Sequence, residues 1–250
     1  MLSIRNLSKS YRKGEVKAVD DLTLEVPAGQ IFGFLGPNGA GKTTTIKMVV
    51  GLLRPDSGSI TVDGVDVLKQ PLEAKRLIGF VPDYPELYPK LTGLEYLNFI
   101  GDVYGIPTDL RRRRLGELLE MFGLQDVLRD LIQTYSHGMK QKLAVIGAVL
   151  PDPALLILDE PMTGLDPKSS ILFKDLMRRR CDEGKAVFFS THVLDVAERV
   201  CDRVAIINRG RLVADGTMEE LRAKARGQTT LERIFLELTE AAEGEEAEGR

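Results

Sequence analysis

The run Gly36-Pro37-Asn38-Gly39-Ala40-Gly41-Lys42-Thr43-Thr44 carries the required residue at each fixed position of the pattern GxxxxGK[ST]. Glycines let backbone amides close around a phosphate where a Cβ would stand in the way. A helix opening near Lys42 turns the positive end of its dipole on the same anion. Lys42 adds a mobile charge for the β- and γ-phosphates, and Thr43 a hydroxyl for Mg²⁺. A glycine-rich surface turn would share this composition but not the order of strand, loop, Lys-Thr and helix. Further along, the apolar run Ala154–Leu158 ends in adjacent carboxylates, Asp159 and Glu160. Asp159 suits a metal ion held directly or through water, and Glu160 suits the polarising of an attacking water. The turn residues that follow, Pro161 and Thr163-Gly164-Leu165-Asp166-Pro167, argue against a plain strand end. His192 follows the next apolar run, where ligands collect at the carboxyl ends of parallel strands, and is a candidate γ-phosphate contact.

These groups need a scaffold to bring them together. Gln30–Leu35 reads as a buried strand entering the loop, and Thr44–Leu53 as the helix leaving it. Leu22–Val26 and Gly58–Val62 alternate apolar and polar, the second ending at a hairpin-type Asp63-Gly64. From about 84 to 150 the spacing turns helical, with Leu94, Leu97, Ile100 and Tyr104 in one segment and Leu115, Leu118, Leu119 and Phe122 in the next. Arg111–Arg114 at the head of that second helix reads as a solvated face, with a nucleic-acid patch as the alternative. Residues 151–216 return to alternating strands and helices. Ala186–Ser190 has the continuous apolar character of a buried parallel strand, and Ser169–Glu183 reads as a crossover helix. Leu231, Ile234, Phe235 and Leu238 mark a short amphipathic helix, and Glu240–Arg250 has the composition of a disordered acidic tail. The expected fold is α/β: a core from 1–83 and 151–225, a helical insertion at 84–150, and a closing helix and tail at 226–250.

A chain of 250 residues with 43% hydrophobic content supports one sizeable core. A net charge of -3 gives no electrostatic footprint for nucleic acid. Cys181 and Cys201 lack CxxC spacing and read as small buried hydrophobes of a reducing compartment. The strand-like opening Leu2–Leu7 offers no signal peptide to read, and the apolar runs fall well short of a membrane span. The expectation is a soluble cytosolic chain that another protein would have to hold at a membrane.

The heptapeptide Tyr135-Ser136-His137-Gly138-Met139-Lys140-Gln141 heads a predicted helix shortly before the acidic strand. Together with the loop, the two acids and His192, it resembles the LSGGQ signature of the nucleotide-binding subunits of ATP-binding cassette (ABC) transporters. The resemblance covers essentially the whole chain. Ser136 and Gly138 coincide with the pattern, whereas Tyr135, His137 and Met139 depart from it. The resemblance implies a P-loop NTPase fold: a RecA-like parallel sheet, an N-terminal antiparallel β subdomain and a helical insertion. It implies an ATPase using ATP and Mg²⁺, with Glu160, His192 and Lys42 catalytic. The residues Gly36, Pro37, Asn38, Gly39, Ala40, Gly41, Lys42, Thr43 and Thr44 would bind nucleotide, and Thr43 and Asp159 the metal. Tyr11 matches the aromatic that stacks on adenine, an ordinary buried tyrosine being the alternative. Ser136 and Gly138 would reach the γ-phosphate held by a second subunit, and Asp166 would join the two sites across a head-to-tail dimer. Asp83 stands where the family has glutamine, in Phe80-Val81-Pro82-Asp83-Tyr84-Pro85-Glu86-Leu87-Tyr88. Its charged oxygen suits Mg²⁺ but repels a γ-phosphate, so a third metal contact there is an expectation to be tested.

The implied partners are a second copy of the chain, or a related ATPase subunit, and a separate integral-membrane permease. The variant motifs resemble the ABC-2 branch, with VPDYPELY and YSHGMKQKL closest to Ecs-type exporter ATPases. Export from the cytoplasmic face of the cell membrane follows from that resemblance, with no nucleic-acid partner. Tyr84, Leu87 and Tyr88 either grip a cytoplasmic helix of the permease or close a small core of their own. The alternative is an ABC ATPase acting on ribosomes or DNA. Such proteins usually carry two cassettes or a long coiled-coil insertion, and this sequence has neither. A P-loop kinase or GTPase would need a lid or a guanine-reading NKxD element, which are also missing.

Overall fold

The computed structural model describes residues 1–162, 166–225, 230–237 and Thr239. The acidic tail and Leu238 expected from sequence lie outside the described residues. The N-terminal part forms β1 (Leu2–Tyr11), β2 (Val16–Val26), β3 (Ile31–Leu35), α1 (Lys42–Val49), β4 (Ser57–Val62), β5 (Val65–Asp66), α2 (Pro71–Leu77) and β6 (Ile78–Val81). Three helices follow: α3 (Gly93–Val103), α4 (Thr108–Phe122) and α5 (His137–Val149). The chain continues as β7 (Leu155–Asp159), α6 (Pro167–Asp182), β8 (Ala186–Thr191), α7 (Leu194–Val200), β9 (Arg203–Asn208), β10 (Arg211–Gly216) and α8 (Met218–Lys224). Residues 231–237 are again helical.

The strands make two sheets. One is antiparallel in the order β2-β1-β4-β5, and the other runs β10-β9-β3-β8-β7-β6. In the second, β9, β3, β8, β7 and β6 are mutually parallel and β10 returns antiparallel to β9. Side chains alternate across a strand, so each core strand serves two interiors. Leu156, Leu158, Val187 and Phe189 face α3 to α6, and the helical insertion thereby shares one core with the sheet. Leu155, Ile157 and Phe188 face the other way, onto α1 and the inner side of the antiparallel sheet. There Phe188 packs between Phe32 and Phe34, with ring centroids 6.0 and 5.3 Å away. Each such buried aromatic contributes about 2–3 kcal/mol of transfer free energy.

Local chemistry sets the ends of these elements. Asp63 and Gly64 take φ of +49° and +80° between β4 and β5, the mirror-type hairpin turn predicted from sequence. The helix after the loop is shifted from its expected span, starting at Lys42 and stopping at Val49 rather than running from Thr44 to Leu53. Gly51, at φ +69°, ends it, and the amides of Leu52 and Leu53 turn back to the carbonyl of Lys47. Thr92 and Glu95 form a reciprocal capping box at the start of α3. The short helices α2 and α7 carry too few turns to show a period in sequence.

The arginine run departs from its expected solvated face. Arg112 and Arg113 are exposed, but Arg111 and Arg114 turn inward. Arg111 donates to Asp102 at 2.5 Å and to the carbonyl of Ile106, joining α4 to the end of α3. Arg114 donates to the carbonyl of Leu150 and reaches Asp152, tying α4 to the turn before β7. Helical periodicity places two of four consecutive residues toward a neighbour, and composition alone cannot say which. Both cysteines are free, Cys181 buried and Cys201 half-buried. No described helix is long and apolar enough to cross a membrane.

Candidate functional site

The loop 36–41 leaves the carboxyl end of β3 and turns into α1. It lies so close to its supports that glycine is required. A Cβ on Gly36 would sit 2.4 Å from the carbonyl oxygen of Ile207, and one on Gly41 2.3 Å from that of Ala18. Gly41 also takes φ +106° as the cap of α1. The first turn of α1 leaves amides aimed into a cleft lined by Ala18, Pro37, Asn38, Gly39, Gly41, Lys42, Thr43, Thr44, Asp83, Asp159 and Glu160. Ala40, within the loop, is buried.

Lys42 is buried, and its Nζ donates to the carbonyls of Gly36 at 2.6 Å and Pro37 at 3.2 Å. Burial lowers its pKa, opposed by the charges of Glu160 and Asp159. Thr43 Oγ1 donates to Asp159 Oδ2 at 3.1 Å, so loop and acidic strand end meet through the two expected metal ligands. The other oxygen of Asp159 accepts from the hydroxyl of fully buried Ser190. Glu160 takes φ +50°, a left-handed backbone uncommon outside glycine, costing about 1–2 kcal/mol. Its amide donates to the carbonyl and hydroxyl of Ser190, both at 3.2 Å, which holds it in place. Its carboxylate lies 3.8 Å from Lys42 Nζ and 2.9 Å from His192 Nδ1.

Asp83, just past β6, completes a set of three carboxylates with Asp159 and Glu160 on the cleft wall. Its pKa is raised, first by burial, then by the charges of Asp159 and Glu160, while His137 and His192 act the other way. Carboxylates held near one another in this way fit a hard divalent cation, which takes oxygen ligands and relieves their repulsion. Among the described residues no group of three or more His, Cys, Asp and Glu closes into a protein-only metal cage. Mg²⁺ rarely uses such a cage, since it binds through one or two carboxylates plus substrate phosphates.

The structure therefore gathers the loop, Asp159, Glu160, His192 and Asp83. It leaves Tyr11, Ser136, Gly138 and Asp166 off the cleft lining. Tyr11 ends β1, opposite Val16 on β2, and at 41% exposed it is not the buried tyrosine of the alternative reading. Ser136 caps α5, its Oγ accepting from Met139 N at 3.3 Å, with Gly138 in the first turn. Asp166 caps α6 by accepting from Ser169 N at 2.9 Å, and it lies 4.0 Å from Lys142 of α5. His137 opens α5 with its ring 6.0 Å from that of Tyr84. Two residues escaped the sequence reading. Ser190 could have been suspected as a polar residue ending an apolar strand, but nothing in sequence points to Ala18.

A glutamate 2.9 Å from a histidine and 3.8 Å from the lysine of a glycine-rich loop is an arrangement that fits attack of water on a phosphoanhydride, the chemistry of the P-loop nucleoside triphosphatases. Residues 19–163 match the model of the ABC transporter family, and the chain belongs to that family as an ATP-binding, ATP-hydrolysing subunit. It is 38% identical over 241 residues to the linearmycin resistance ATP-binding protein LnrL of Bacillus subtilis, covering 96% of this chain and 77% of that one. It is 44% identical over 207 residues to the daunorubicin/doxorubicin resistance ATP-binding protein DrrA of Streptomyces peucetius. That match covers 83% of this chain and 63% of DrrA, just under two thirds of its length. A solved ATP-binding subunit of an ABC transporter superposes with a TM-score of 0.91 at 35% identity, covering 96% of this chain and 99% of that chain. The cassette MJ0796, solved as a dimer in a post-hydrolysis state with ADP and Pi, gives 0.77 at 26% identity over 87% and 99% of the two chains.

Proposed function

We propose that this subunit hydrolyses MgATP at the interface of a head-to-tail dimer and so drives export through a separate ABC-2 type permease. The observation that carries the reading is the 2.9 Å contact of His192 with Glu160, itself 3.8 Å from Lys42. The loop amides and Lys42 hold the β- and γ-phosphates. Thr43 and Asp159, with Asp83, are the residues that would hold Mg²⁺, which when bound neutralises phosphate charge. Glu160 accepts the proton of the attacking water, and His192, donating from Nδ1, orients the Glu160 carboxylate toward that water.

Ser136 and Gly138, capping α5 away from the same chain's cleft, serve the γ-phosphate of a second copy, as a helix N-terminus suits an anion. Asp166 lies at the join of the two sites. The organisation is thus a core, 1–83 and 151–225, and a helical insertion, 84–150, that turn relative to each other on closure. The exporter direction is supported by the resistance names of LnrL and DrrA. The permease would hold the subunit at the cytoplasmic face of the membrane. Its cytoplasmic helix would seat in a groove lined by Leu52, Pro85, Glu86, Leu87, Ile100 and Tyr104. Neither Tyr84 nor Tyr88 lines this groove, but both stand exposed on either side of the Pro85–Leu87 segment that does, Tyr84 with its ring toward His137 and Tyr88 edge-on against Phe99, and would complete the grip from outside it.

The test is Glu160→Gln. It should cut turnover by about a hundredfold or more while trapping an ATP-dependent dimer on size exclusion. Unchanged turnover together with a persistent monomer would sink both the base assignment and the two-site sandwich.

A further inference from the structure

The phosphate loop and the hairpin that carries Tyr11 belong to different sheets, yet one turn joins them. Arg209 and Gly210, at φ +48° and +84°, link β9 to β10. The amide of Gly210 donates to the carbonyl of Ala40 inside the loop at 2.9 Å. Its carbonyl accepts from the amide of Asp20 on β2, also at 2.9 Å. The next residue locks the joint, Arg211 donating from Nε and Nη2 to Asp20 Oδ2 at 2.9 and 2.7 Å. Lys17 takes the other oxygen at 3.1 Å. Arg211 first and Lys17 second hold the Asp20 carboxyl below its usual value, so the pair is charged throughout the neutral range. Between this lock and Tyr11, β2 contributes Ala18 to the cleft wall and Val16 opposite Tyr11.

We propose that the Asp20–Arg211 ion pair is a positioning device that sets the reach between Tyr11 and the phosphate loop. The proposal rests on the reading that Tyr11 stacks on adenine. ATP is one ligand of fixed dimensions, and its base and its phosphates bind together only if both sets of contacts stand at the ligand's own length. Preorganising that separation contributes affinity that neither set supplies alone. Neither Arg211 nor Asp20 lines the cleft. Releasing them leaves only the single Asp20–Gly210 backbone bond to hold the hairpin, which costs the base contact, and it spares the phosphate contacts because the Gly210 bond to Ala40 within the loop remains.

Inorganic tripolyphosphate separates the two sets, since it carries phosphates without a base. Binding of a non-hydrolysable ATP analogue and of tripolyphosphate, each with Mg²⁺, would be measured by calorimetry for wild type, Arg211→Ala, Arg211→Lys, Tyr11→Ala and the Tyr11/Arg211 double alanine variant. The expected result is a rise of about threefold to tenfold in Kd of the analogue for Arg211→Ala, most of it recovered in Arg211→Lys, with tripolyphosphate unchanged. The double variant should bind the analogue no worse than Tyr11→Ala alone, since both act through one contact. An analogue Kd unmoved by Arg211→Ala, with Tyr11→Ala weakened, overturns the positioning role alone. Equal losses for analogue and tripolyphosphate overturn it too, pointing to a damaged loop. An analogue Kd unmoved by Tyr11→Ala removes the adenine contact and the inference with it.

Discussion

Glu160 combines an unfavourable backbone with three fixed neighbours, and that combination makes its side chain hard to replace. Its amide is tied to Ser190, and its carboxylate to His192 and toward Lys42. His192→Ala leaves the carboxylate in place without its orienting ring, so kcat should fall by about a hundredfold with KM for ATP nearly unchanged. A parallel rise in KM would mean that His192 binds ground-state nucleotide instead. Asp83→Asn tests the third carboxylate, the expected outcome being a severalfold higher Mg²⁺ concentration for half-maximal turnover. An unaltered Mg²⁺ dependence would remove Asp83 from the metal site. The loop and the acid pair were legible in sequence because each is contiguous. Ser190 was not, because its contact with Asp159 crosses from β8 to β7 over 31 residues of chain.

Among the elements, the turn between α5 and β7 draws three basic side chains onto one carboxylate. Asp152, at φ +63°, receives Arg180 and Lys185 on one oxygen and Arg114 at 3.4 Å on the other. Burial raises its pKa, but Lys185 and Arg180 outweigh that, and the net shift is downward. A depressed carboxyl contributes stability above its unfolded value and loses it as pH falls through the lower, folded value. Arg180 is 3% exposed, so removing its partner leaves a buried cation. Asp152→Ala should cost about 2–4 kcal/mol at pH 7. Urea denaturation should show that difference flat down to pH 5 and shrinking only below about pH 4, the ordinary carboxyl value. A difference that vanishes already at pH 6 would assign the effect elsewhere. The long elements were readable because period-two and helical patterns run far enough to register. The inward turn of Arg111 and Arg114 was not, since it depends on which neighbours the helix meets.

For the molecule as a whole, Ser136 and Gly138 at the head of α5 do not line the chain's own cleft, and on the proposed reading they would serve the cleft of a second copy. The groove between the end of α1, the Asp83 loop and α3 is the part that would face the membrane partner. Glu86→Lys with Tyr88→Ala should abolish stimulation of the ATPase by a reconstituted permease while basal turnover stays within about twofold, since neither residue lines the nucleotide cleft. Full stimulation in that variant would move the docking site. The α/β core was legible because the phosphate loop fixes strand and helix on either side of it. The shared interior between the helical insertion and the sheet was not, for it is built from residues as distant as Val81, Leu119 and Phe173.

The two thiols lie under enough protein to change how the molecule can be studied. Burial pushes Cys181 up to about 11 and raises Cys201 as well, so neither is an appreciable thiolate at neutral pH. A cysteine introduced at an exposed position such as Lys69 or Glu219 would be the fast-reacting group in an otherwise native chain. Fluorophores placed there by maleimide chemistry could follow the approach of two copies in real time, with no need to strip out the native sulfur first.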